Sequence, residues 1–183
     1  MKKRIFIAIP LPESMQKVLD EYKKDIEVEN AKIRWVRKDN LHITALFLGE
    51  VEEGLITTMV GTLEAIATNT ESFTLKLQEI KWAPSDQYPR MIWAKFENDE
   101  NYINLIELMK KSLEQYFGLQ IFDENQTIIP HVTMARIKNA KDIKPAPLKQ
   151  IVVDDLFVSS FQLIESELSS DGPEYTIISD FPL

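Results

Sequence analysis

The stretch 41–51, LHITALFLGEV, and a second stretch 130–137, PHVTMARI, hold the only two histidines of this 183-residue chain. Each histidine is followed two places later by threonine. Both stretches are rich in β-branched and large apolar residues, so each reads as a strand entered from a loop. Side chains at i and i+2 of a strand share a face, which sets His42 beside Thr44 and His131 beside Thr133. Ile43 and Val132 then point the other way, into a core. The two motifs lie 89 residues apart, near half the chain length. The repeat is visible only as H-[I/V]-T, too slight for a solenoid. It predicts one compact domain over 1–183 made of two lobes, each offering one H-x-T to a shared groove.

Outward from these strands, the chain alternates strands and helices without an obvious linker. RIFIAI (4–9) reads as a strand. The helix at 12–28 carries Met15, Val18, Leu19, Tyr22 and Ile26 on one stripe, and the helix at 52–68 carries Leu55, Met59, Leu63 and Ile66. Strands follow at 72–82 and 90–96, then a helix at 99–117 that stops at Gly118, a C-terminal cap. After the second motif come a Pro/Lys-rich connection at 138–149 and closing strands at 154–168 and 174–181, with a turn inside 166–173. Many strands, short turns and three helices predict an α+β fold of mainly antiparallel sheet.

Composition excludes several function classes. Cysteine is absent, so there are no disulfides, thiolate metal sites or thiol nucleophile; a reducing cytoplasm is the expected location. The opening MKKRIFIAIPLPESM imitates a signal peptide, but its apolar run is short and broken by Pro10 and Pro12. No stretch is long enough to span a bilayer, so no membrane partner is expected. The formal net charge is −8, which opposes binding to long duplex nucleic acid through many phosphates. One local exception is KIRWVRK, where Lys32, Arg34, Arg37 and Lys38 surround Trp35. It reads either as a solvated basic strand or turn, or as a rim that attracts a small or terminal phosphate.

With ten threonines in 183 residues, chance sets Thr two places after both histidines about once in 300. A lone histidine on a half-buried strand is most often structural; a matched pair with none elsewhere argues for shared chemistry. Catalytic zinc usually takes three protein ligands, and neither HxH nor HExxH occurs, so no metal or other cofactor is expected. A Ser-His-Asp triad would use one histidine and leave the other unexplained, and G-x-S-x-G is absent. Glycine-rich phosphate loops are absent too. Two imidazoles with ordinary pKa values near 6.5 suit paired acid–base work, one neutral and one protonated.

These segments, RIFIAIPLP, RWVRKDNLHITALFLGEV, PRMIWAKF, IIPHVTMARI, FQLIESEL, GPEY and FPL, run nearly end to end in an order that resembles the two-histidine (2H) phosphoesterases. The likeness is to the LigT-like RNA 2′,3′-cyclic phosphodiesterases, once described as 2′–5′ RNA ligases. The resemblance implies two pseudo-symmetric lobes of mainly antiparallel sheet with helices outside, a central cleft, and no metal. It implies that His42 and His131 are the catalytic acid–base pair, and that Thr44, Thr133 and Arg136 bind the phosphate. Strict alternation opposes Arg136, five residues from His131; a bulge would have to re-aim it, or its side chain reach round the strand edge. Arg90 is a weaker phosphate candidate. Phe6, Trp35, Phe47 and Tyr175 are candidates either for stacking on a base or for the core. The family's first motif has leucine after the threonine where this chain has Ala45, which predicts altered packing or base preference. The implied reaction opens a terminal cyclic phosphate to a 2′-phosphate, on a small nucleotide or an RNA terminus, by a monomer. A nucleotide- or RNA-end-binding module without turnover, and a 2′–5′ ligase acting on tRNA, stay open. Either histidine can serve as the base.

Overall fold

The computed structural model describes residues 1–26, 32–118, 128–138, 146–169 and 172–183. Ten strands and three helices occupy them: β1 (Lys2–Pro10), α1 (Glu13–Tyr22), β2 (Lys32–Trp35), β3 (His42–Glu52), α2 (Glu53–Thr68), β4 (Phe73–Leu75), β5 (Leu77–Ala83), β6 (Met91–Phe96), α3 (Glu100–Phe117), β7 (His131–Lys138), β8 (Leu156–Val158), β9 (Ser160–Ser169) and β10 (Gly172–Pro182). Every described strand pair is antiparallel. The fold is α+β, as the alternation of elements predicts.

Seven strands form the order β10-β9-β1-β3-β7-β6-β5, and β2 joins the same sheet through β7. The two motif strands, β3 and β7, are therefore hydrogen-bonded neighbours, joined through the pair Ile43–Val132. Both residues are fully buried. Each fully buried aliphatic of this size contributes about 1.5–3 kcal/mol, so the β3–β7 pairing is anchored where the histidines stand.

β1 explains its own composition. Ile5, Ile7 and Ile9 enter the main core, while Phe6 and Ala8 enter a second, smaller cluster with Ile164 and Tyr175. A strand covered on both faces needs an unbroken apolar run, and IFIAI supplies it. The main core also takes Met15, Leu19 and Tyr22 of α1, Met59, Leu63 and Ile66 of α2, and Tyr102, Leu105, Ile106, Met109 and Leu113 of α3. These positions repeat at three and four residues, the stripe of an amphipathic helix. Val18 and Leu55, expected on the stripes, are each 38% exposed because they sit at the stripe edges.

Helix ends follow local chemistry. Asp99 caps α3 by accepting the Tyr102 N–H at 3.0 Å. Gly118 ends it at φ 62°, donating its N–H to the Glu114 carbonyl, a left-handed position that favours glycine. The expected helix over 12–28 is α-helical only to Tyr22, continues as a single 3-10 turn to Asp25, and residues 27–28 lie outside the described set. Two expected strands each divide. Residues 72–82 become β4 and β5, and 154–168 yields β8 and β9, so that β4 and β8 can pair as a separate two-stranded sheet. Hydrophobic runs do not reveal such a break, because both pieces are buried. Of the connection at 138–149 and the turn at 166–173, residues 139–145 and 170–171 lie outside the described residues. Among the described residues, no helix is long and apolar enough to cross a membrane.

Candidate active site

β3 and β7 open with the same eight-residue burial pattern. His, Thr and the sixth residue are accessible; the second, fourth, fifth and seventh are buried. Two consecutive buried residues inside a strand require a break in alternation, and the register shows it. In β3, Ala8 pairs with Thr44 and Ile7 with Leu46, leaving Ala45 extra. In β7, Trp93 pairs with Thr133 and Ile92 with Ala135, leaving Met134 extra. Each H-x-T is thus followed at once by a β-bulge. The bulge turns Arg136 back to the face of His131 and Thr133, which decides between the two routes left open above. The residue at the matching place in β3 is Phe47.

Because Ile43 and Val132 are direct partners on the core side, His42, Thr44, His131 and Thr133 share the opposite face. All five expected site residues, Arg136 included, lie on one face of adjacent strands. The two histidine rings are close enough for a charge on His131 to disfavour one on His42.

The imidazoles are held alike. His42 Nδ1 lies 2.8 Å from the Asn40 carbonyl, and His131 Nδ1 lies 2.8 Å from the Ile129 carbonyl. A carbonyl only accepts, so each Nδ1 carries the proton and each neutral ring keeps its lone pair on Nε2. Thr44 Oγ1 lies 3.0 Å from His42 Nε2, where its hydroxyl donates to that lone pair. Asn40 also ties the loop before His42 to the far sheet edge, its side-chain amide donating to the Pro173 carbonyl at 3.1 Å.

The surroundings differ. His42 sits between Phe6, at 5.1 Å centroid to centroid, and the edge of Tyr175, at 5.5 Å. His131 stacks on Trp93 at 3.9 Å with 27° between planes. The stack holds although Trp93 Nε1 is buried without a partner among the described residues, a cost of about 1–3 kcal/mol. Burial lowers the His42 pKa to about 4. Burial also lowers that of His131, and Arg136 adds to the effect. Burial raises the Tyr175 phenol, while Arg136 and Arg4 pull it back.

Among the other candidates, Phe6 is 3% exposed and belongs to the small cluster on the site face. Trp35 is half-buried against the main core. Phe47 is 56% exposed, which excludes a core role. Ala45 is buried in the main core, on the side away from the histidines. Arg90 is exposed at the entry to β6, where its backbone N–H donates to Ala83 and its carbonyl accepts from Ile137. Trp93 was missed. In MIWAKF the apolar trio Ile92, Ala94 and Phe96 marks the core face, so alternation alone assigns Trp93 to the other. Among the described residues, no cluster of three or more His, Cys, Asp or Glu could hold a metal ion. A groove of about 620 Å³ between α2 and α3, touching Thr58, Gly61, Leu108 and Tyr116, contains neither histidine.

The LigT like phosphoesterase model matches residues 9–93. A Methanocaldococcus jannaschii protein named RNA 2′,3′-cyclic phosphodiesterase is 30% identical, across 97% of this chain and 99% of its own length. The chain belongs to the LigT-like phosphoesterase family. A Methanothermobacter thermautotrophicus member of the same name is 27% identical over the whole of both chains. A solved Thermus thermophilus structure has TM-score 0.83 and 29% identity, covering 98% of this chain and 97% of that one. The fold also matches Escherichia coli LigT solved with 3′-AMP, at TM-score 0.80 and 22% identity over 100% and 99% of the two chains.

Proposed function

We propose that this chain is an RNA 2′,3′-cyclic phosphodiesterase, opening a terminal cyclic phosphate to a 2′-phosphate without a metal. The observation that carries the reading is the pair of H-x-T motifs on adjacent strands, with both imidazoles on one face and Nε2 of His42 accepting the Thr44 hydroxyl in the free protein. The family relatives bearing that name, similar along the whole chain, support it. The two halves of the sheet then act as lobes of one domain, and the active form is a monomer.

In the reaction, a water oxygen attacks phosphorus in line while one imidazole takes its proton on Nε2. The bond from phosphorus to the ribose 3′ oxygen breaks, and the other imidazole, protonated, delivers its proton to that oxygen. Products are a 2′-phosphate and a 3′-hydroxyl, and the pair returns to its starting charge by exchange with solvent. Thr44, Thr133 and Arg136 hold the non-bridging oxygens, where charge is concentrated during phosphoryl transfer. Arg136 offers a planar fork of donors suited to two phosphate oxygens at once.

The test is incubation with the four nucleoside 2′,3′-cyclic monophosphates in EDTA, resolving the products. Turnover to 2′-phosphates is expected. Loss of activity in chelator, restored by zinc, magnesium or manganese, would overturn the two-histidine mechanism. Binding without turnover of any of the four would leave a nucleotide-binding module instead.

A further inference from the structure

The basic KIRWVRK segment contains strand β2, which pairs only with β7 among the described strands. In that register Arg34 stands directly opposite Arg136, and Lys32 opposite Lys138. Directly opposed residues of an antiparallel pair share a face, so Arg34 extends outward from the face that carries His131, Thr133 and Arg136. Like charges directly opposite each other destabilise a sheet. Among the described residues, neither arginine comes within ion-pair distance of a carboxylate. This occurs in a chain with eight more acidic than basic side chains. Arg34 and Arg136 stand on adjacent strands of one face, but Arg136 Nη1 lies 3.9 Å from Met91 Sδ on β6 while the Arg34 guanidinium reaches Gly172, so the pair can hold two separate phosphates.

Arg34 is also seated. A Cβ built on Gly172 would lie 2.7 Å from Arg34 Nη2, and Gly172 has φ 131°. The guanidinium fills the notch left by the absent side chain at the start of β10, three residues before Tyr175. From Thr133 to Arg136 is two register steps, about 7 Å along the strand, and Arg34 is one strand further out, about 5 Å. That separation spans one nucleotide.

Resting on the cyclic phosphodiesterase reading, we propose that Arg34, seated on Gly172 and facing Arg136, binds a second phosphate, the one on the 5′ oxygen of the terminal nucleotide. The site therefore favours the end of an RNA strand over a cyclic mononucleotide with a free 5′ hydroxyl. A 5′-phosphorylated mononucleotide and a strand present the same group, and their separate turnover distinguishes them.

The experiment compares kcat/KM for a nucleoside 2′,3′-cyclic phosphate, its 5′-phosphorylated form, and a dinucleotide ending in the cyclic phosphate. Wild type should prefer the two 5′-phosphorylated substrates by at least about tenfold, the worth of one good Arg–phosphate contact. Arg34→Ala should abolish most of that preference, Arg34→Lys should restore part of it, and Gly172→Ala should reduce it with little further loss in the double variant. A preference confined to the dinucleotide, or one that Arg34→Ala leaves intact, would overturn the proposal. Fluorescence anisotropy with a labelled dinucleotide 3′-phosphate tests the subsite without turnover. Arg34→Ala should weaken binding about tenfold and lower the salt slope by about 0.7, one phosphate contact on a single strand. Arg34-dependent binding in a protein that opens no cyclic phosphate would keep the subsite and reject the activity proposed above.

Discussion

The His42 and His131 strands share one local arrangement and differ in what surrounds it. Both have the same burial pattern, the same bulge after threonine, and the same Nδ1–H to carbonyl contact two residues back. They differ at the sixth position, Phe47 against Arg136, and in what surrounds the ring. His42 is enclosed by Phe6 and Tyr175, and Thr44 bonds to its Nε2; His131 lies flat on Trp93, and Thr133 makes no such bond among the described residues. The shared part is what holds an imidazole with its Nε2 outward. The divergent part sets charge: one half presents aromatic surface, the other a cation. A bulge makes this possible, because it brings a residue of either kind back to the site face without disturbing the core side.

The largest expected effect tests whether the halves form one site. His42→Ala and His131→Ala should each lower kcat/KM on a cyclic monophosphate by about 10² to 10⁴. The double variant should lose far less than the product of the two, since acid and base act as a unit. Multiplicative loss would mean two independent roles.

Next comes the divergent position. Arg136→Ala should cost about 10²-fold or more in kcat, as loss of a donor to developing charge does. Phe47→Ala should raise KM by less than about tenfold and leave kcat near wild type. Equal effects on kcat would erase the functional difference between the strands. Thr44→Val and Thr133→Val should each cost about 2 to 4 kcal/mol in kcat/KM while leaving the pH limbs in place.

The pH profile sharpens the comparison further. Burial holds both histidines below 6.5 in the free protein, His42 at about 4, and the proposed reaction uses one proton on the pair. Below the lower value both rings are charged and no base is left; above the upper one both are neutral and no acid is left. The bell in kcat/KM should therefore lie between about pH 4 and 6.5, more acidic than unperturbed imidazoles would give, with limbs belonging to the coupled pair. An anion in the site favours the charged rings, so the kcat optimum should lie at higher pH. The same depression makes neutral His42 stabilising above pH 6.5, an effect lost as pH falls toward about 4. NMR titration in which His42 does not titrate below His131 would contradict the asymmetry of burial.

The smallest effect concerns Ala45. The side chain lies in the main core beside the bulge, away from the histidines. Ala45→Leu should change stability by about 1–3 kcal/mol through overpacking and keep kcat/KM within about twofold, as thermal unfolding and kinetics would show. Its bearing is on packing; a changed base preference in Ala45→Leu would refute that.

Much was legible in the residues themselves. Strand alternation put His42 with Thr44 and His131 with Thr133; helical spacing marked the buried stripes of α1, α2 and α3; the rarity of histidine singled out the pair. These signals are local, carried by periods of two and 3.6 residues, so the chain alone reveals them. Three features were settled by tertiary pairing. Neighbouring β3 and β7 depends on a strand order that contacts between distant residues choose. The bulges at Ala45 and Met134 exist only relative to the partner strands β1 and β6, and without them Arg136 faces away. Arg34 meets Arg136 and Gly172 through residues more than a hundred positions apart. Register is a property of two strands, and one strand's sequence does not contain it.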